Sequence, residues 1–175
     1  MLAHSLAVAV SEDRKMRAMP KLVSDDREVS SSLAIEFTQV VSRAGLWLPY
    51  RLEIASGTRR AALEDTEAQI GRCWLGLSPQ DELGHLVRLL DTLVSGASPR
   101  LRFEPAEPNF SLEIERAPEG WVVVCWLDAG NQISDHFTWD AMGVRFFTNL
   151  TALGEFRDAL ARESSRWSNG AAERR

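Results

Sequence analysis

Gly120-Trp121-Val122-Val123-Val124-Cys125-Trp126-Leu127 is the stretch on which the fold turns. Ala117-Pro118-Glu119-Gly120 leads into it and Asp128-Ala129-Gly130-Asn131 follows it, and both read as turns. The run is short and rich in β-branched and aromatic residues, so it reads as a strand rather than a helix. From Trp121 to Leu127 it is apolar at every position, which predicts a central strand covered on both faces. Trp121 and Trp126 have opposite parity, so they project to opposite faces.

The neighbouring segments extend the same reading. Upstream, Phe110, Leu112 and Ile114 alternate with Ser111, Glu113 and Glu115, the period of a half-buried strand. A strand at Leu101–Glu104 precedes it, separated by a loop with Pro105 and Pro108. Downstream, Ile133, Phe137 and Trp139 mark a strand, and Val144–Phe147 a short one. Nearer the N-terminus, alternation predicts strands at Leu33–Val41 and Tyr50–Ile54, with one or two weaker ones within Arg60–Leu77.

Two helices complete the pattern. Ser78 and Pro79 open one over Pro79–Ser95, with Asp81 at capping-box spacing and Asp81 and Glu82 at the positive end of the dipole. Leu83, Leu86, Val87, Leu90, Leu93 and Val94 recur at helical spacing, and Gly96 and Pro99 end it. The other spans Leu150–Glu163, with Leu150, Leu153, Phe156 and Leu160 as its stripe. The expected fold is α+β, a mostly antiparallel sheet of about six to seven strands with two amphipathic helices packed on it. Residues 1–32 are expected to be poorly ordered, 33–163 to form one domain, and 164–175 to be a polar tail. The strand–helix order repeats once, and Tyr50–Ile54 resembles Phe110–Ile114. Alternating strands look alike, so duplication and chance both stay open.

Composition narrows the function. A chain of 175 residues with 45% hydrophobic content can build a core without disulfides or metal. A net charge of −5 argues against nucleic-acid binding and suits a basic protein partner. Cys73 and Cys125 sit in apolar runs with no CxxC spacing and read as reduced core thiols, though a disulfide between them stays open. Leu2–Val10 is apolar, and Ala7-Val8-Ala9 mimics a signal-peptidase site. No Lys or Arg precedes it, so the expectation is a cytoplasmic protein starting at Met1, Met16 or Met19. No stretch is long enough for a membrane helix, so no membrane association is expected. Trp74, Trp121 and Trp126 are expected in the core, while Trp47 and Trp139 stand beside turns.

The chemistry-bearing residues do not assemble into a motif. Glu82-x-x-His85 has the spacing of a di-iron half-site, but its other ligands are missing. His136 shares a strand face with Ser134, Thr138 and Asp140. Neighbours two apart on a strand lie about 6.5–7 Å apart with parallel side chains, whereas a triad converges from separate segments. There is no nucleophile elbow, phosphate loop, dinucleotide fingerprint, calcium loop or zincin motif. No catalytic residue, cofactor or metal is expected.

The stretch Tyr50–Leu160, with Cys73-Trp74-Leu75-Gly76-Leu77-Ser78 leading into the first helix, Phe103-Glu104-Pro105, the Phe110–Glu115 strand and the Leu153, Phe156, Leu160 helix, resembles the WapI-type immunity proteins and related small uncharacterised bacterial proteins. The resemblance implies a cytoplasmic bacterial protein that binds and neutralises a toxin domain, with no catalytic residues. The expected interaction face is Asp128, Asp135, His136, Trp139 and Asp140, an acidic and aromatic set suited to a basic partner such as a toxin domain. An enzyme or small-molecule-binding domain with a scattered site is the alternative.

Overall fold

The computed structural model describes residues 19–26, 28–37, 47–64, 73–76, 81–106, 109–128 and 141–172. In chain order the elements are β1 (Lys21–Val23), β2 (Ser31–Phe37), β3 (Trp47–Ser56), β4 (Arg59–Leu63) and β5 (Trp74–Gly76), then α1 (Glu82–Val94). β6 (Arg100–Phe103), β7 (Phe110–Ala117), β8 (Gly120–Asp128) and β9 (Ala141–Thr148) follow, then α2 (Leu150–Ala172). The fold is α+β with antiparallel pairing throughout these strands.

The single sheet of six to seven strands is corrected. There are two sheets: a five-stranded one in the order β1-β2-β3-β4 with β5 also on β3, and a four-stranded one in the order β6-β7-β8-β9. Alternation marks a strand but carries no record of which strands share a sheet. The weak Arg60–Leu77 stretch resolves into the short β4 and β5. β1 lies inside the stretch expected to be poorly ordered. It is only three residues long, too short for periodicity to reveal, yet its Leu22 is wholly buried.

Both sheets and both helices share one continuous core, from Leu22 to Trp167. α1 packs on α2, β5 and β6, α2 also on β1, and β9 lies against β2 and β3. Tyr50 of β3 meets Phe110 of β7 edge-on at 5.6 Å, joining the two sheets. α1 is capped by Asp81, whose Oδ1 accepts the Gly84 N–H at 2.8 Å. The expected opening at Ser78 and Pro79 lies outside the described residues. α2 runs on to Ala172 instead of fraying after Glu163. Trp167 is two turns beyond Leu160 on the same buried stripe, and its Nε1 donates to Glu163 at 3.2 Å.

The decisive strand is interior to its sheet, bonded to β7 on one side and β9 on the other. It is not covered on both faces. Trp121, Val123, Cys125 and Leu127 are buried, whereas Val122 and Val124 are half-buried and Trp126 is 46% exposed. The strand closed on both faces is β2, where even Ser31, Ser32 and Ala34 are buried.

Candidate interaction face on the second sheet

The open side of β8 carries Val122, Val124, Trp126 and Asp128, every second residue of the strand. Trp126 stands opposite Ser111 of β7 and Gly143 of β9. A Cβ on Gly143 would come within 2.3 Å of the Trp126 ring, so the indole lies flat across the β9 backbone. Glycine at 143 therefore seats the tryptophan, with one ring face against β9 and the rest of the indole open to solvent. Further along β9, Phe147 lies opposite Val122 and is 38% exposed, with the Arg145 guanidinium 5.4 Å from its ring centre. Val122, Val124, Trp126 and Phe147 thus form an apolar strip on an otherwise polar face.

Beside Trp126 is a recess of about 140 Å³ lined by Glu104, Ser111, Trp126 and Asp128, with Phe110 and Leu127 also contributing. Glu104 follows β6 in the same cross-strand row as Ser111 and Trp126, so two strand spacings separate it from Trp126, ~9–10 Å between Cα atoms. Asp128 is two residues along β8 on the same face, ~7 Å from Trp126. Two carboxylates and an aromatic face around a small recess suit the cationic end of an arginine or lysine.

The polar side of the first sheet carries the exposed Trp47 and, beyond it, charges that pair with one another. There Arg51 donates to Glu53 and Glu64, each at 2.9 Å, and Arg60 bonds Glu53 at 3.1 Å. The hydrogen bond to Glu53 is the main cause that raises the Arg51 pKa. Partial burial opposes it and the Glu64 bond adds to it. These charges satisfy one another.

Of the residues expected at an interaction face, Asp128 alone lies within the described residues. It closes β8, is half-buried, and its N–H donates to the Asn109 carbonyl at 2.9 Å. Asp135, His136, Trp139 and Asp140 lie outside the described residues. Trp126 and Glu104 were not among the expected residues, and the assignment of Trp126 to the core is corrected by its exposure. Parity already placed Trp126 opposite Trp121. The signal for its openness was Gly143, whose strand partner is visible only once the register is known. Trp121 is buried as expected, and Trp74 is half-buried against Trp47, ring centres 6.5 Å apart.

A second concavity, about 400 Å³, is lined by Asp81, Glu82, His85, Arg88, Phe103, Glu104 and Ala106. It contains the Glu82-x-x-His85 pair, but their surroundings divide them. Glu82 is buried and accepts the backbone N–H groups of Gly76 and Ala106, one on each carboxylate oxygen. Asp81 is committed to the helix cap. His85 is exposed beside the Phe103 ring, centres 6.2 Å apart. No nucleophile is paired with a base among the residues lining it, and no cluster of metal-ligating side chains occurs among the described residues.

Cys73 and Cys125 are buried, reduced thiols. Desolvation pushes Cys125 up to about 12, so it stays protonated and unreactive. Neither thiol in the native protein is expected to react with iodoacetamide over an hour at about pH 8, and both should react in urea. Mass spectrometry of the alkylated chain reads the difference, and rapid native labelling of Cys125 would contradict its burial.

No helix among the described residues is long and apolar enough to cross a membrane. The chain matches no protein-family model and no curated protein.

Proposed function

We propose that this chain is a non-enzymatic protein-binding module, immunity-like in the manner the sequence resemblance implies, whose partner is a basic protein such as a toxin domain. The observation that carries the reading is Trp126. It is a large aromatic side chain, 46% exposed on an interior strand, seated on a glycine and flanked by Glu104 and Asp128 around a recess of side-chain size. Exposed tryptophans of this kind supply a disproportionate share of binding energy at interfaces. The two carboxylates select a basic side chain, and the net charge of −5 steers a basic partner toward the molecule.

The test uses purified protein as bait in extract from its native cell. A stoichiometric complex with one basic protein is expected. Trp126→Ala should weaken that complex by at least about 30-fold, the ~2 kcal/mol of an interface anchor. It should leave the urea midpoint nearly unchanged, because the indole covers little of the core. Asp128→Lys should lower the association rate and its salt dependence. Equal binding by wild type and Trp126→Ala would place the interface elsewhere. Turnover of a substrate without any stoichiometric partner would replace the binding reading with the enzymatic one.

A further inference from the structure

We propose that the outer edge of β9 is a strand-addition site for an extended acidic segment of a partner protein. In an antiparallel ladder each residue directs its N–H and C=O to the same side, and the side alternates along the strand. The Phe147 carbonyl accepts the Asp25 N–H at 2.9 Å, on the side away from β8. By parity, the backbone groups of Gly143 and Arg145 point to that same outer side. Among the described residues nothing bonds to them: β9 pairs only with β8, and the Asp25 bond closes the edge at Phe147 alone. A row of open donors and acceptors is a template for another strand.

The edge is also lined in a way that selects its occupant. It borders a groove of about 330 Å³ between β9 and the β3–β4 hairpin, where Ile54, Met142 and Val144 give an apolar lining. The charged residues lining it are Arg59 and Arg60, with no carboxylate among them. Arg60 is held by Glu53, whereas Arg59 is exposed and pairs with no carboxylate among the described residues. An added strand would turn alternate apolar side chains into the groove and the others to the opposite face, where acidic ones stand beside the exposed Arg145. A second copy pairing β9 with β9 would gather the exposed Arg59 and Arg145 of both copies at one seam whose groove is lined by no carboxylate, so self-pairing is disfavoured. The groove is separate from the Trp126 recess, and the proposal stands whether or not that recess binds a cation.

Residue-resolved amide hydrogen exchange on the full chain tests it. The probe is a capped peptide of about seven alternating Val and Glu residues, long enough at ~3.3 Å per residue to run the open edge. At saturation the Gly143 and Arg145 amides should gain about tenfold or more in protection, while Met142 and Val144, already directed at β8, change little. Arg145→Glu, an exposed substitution that leaves the core alone, should weaken the Val–Glu peptide by roughly fivefold or more and favour the matching Val–Lys peptide. The absence of protection at Gly143 and Arg145 would overturn strand addition. Equal binding of the two peptides to wild type would overturn the acidic occupant. Protection that rises with protein concentration alone would replace it with self-pairing.

Discussion

Replacing Phe156 by alanine is expected to lower stability by about 3–5 kcal/mol, the cost of removing a buried aromatic ring from a core that relaxes only in part. Phe156 is wholly buried on α2, between Leu153 and Leu160, also wholly buried. α2 is the element that packs on both α1 and β1, so the cavity opens where the two halves of the chain meet. For a domain stable by about 5–15 kcal/mol the loss is about a fifth or more of the total. The comparison that makes the result specific is Leu150→Ala on the same helix. Leu150 is 47% exposed, and its removal should cost under about 0.5 kcal/mol. Urea titrations of the two variants read both values. A Phe156→Ala cost below about 1 kcal/mol would mean that α2 does not close the core.

The difference between those two leucine-and-phenylalanine positions shows what kind of information the sequence held. The stripe Leu153, Phe156, Leu160 was legible because a helix writes its buried face at a fixed period. Its continuation to Trp167 was less so, since one apolar residue among Arg162, Glu163, Ser164 and Ser165 looks like a tail until the helix is seen to carry it back to the core. The strands β2, β3, β7 and β8 were legible for the corresponding reason, period two. Their division into two sheets was not, because pairing is a long-range choice that leaves no local trace. The same gap applies to the proposed interaction face. Asp128 could be named from charge and position. Trp126 could not be told from a core residue, because its openness depends on Gly143 seventeen positions away, opposite it only in the β8–β9 register. Apolar character at every position from Trp121 to Leu127 implied two covered faces. One of them is instead an open strip of β-branched and aromatic side chains, a composition equally at home on a half-exposed pleated surface.

Glu82 provides the sharpest test of a contact that local rules get wrong in sign. It occupies the first turn of α1, where alanine is the better helix former, so propensity alone predicts that Glu82→Ala is neutral or stabilising. The tertiary contacts predict the reverse. The carboxylate is 7% exposed and accepts the N–H of Gly76 at the end of β5 and the N–H of Ala106 after β6. It thereby ties the first sheet, the first helix and the second sheet at one point, with the helix dipole favouring its charge. Alanine leaves both N–H groups without an acceptor, at about 1–3 kcal/mol each, so a loss of about 2–5 kcal/mol is expected. Glutamine should not restore it. A carboxylate offers two acceptor oxygens, whereas an amide offers one and turns its NH₂ toward the other N–H, donor against donor. Glu82→Gln should therefore still cost at least about 1 kcal/mol, with faster exchange confined to one of the two amides, Gly76 or Ala106. Urea titration gives the energies and amide exchange at those two positions gives the assignment. A neutral Glu82→Ala would show that propensity outweighs the clamp. A Gln variant as stable as wild type would show that only one of the two bonds contributes.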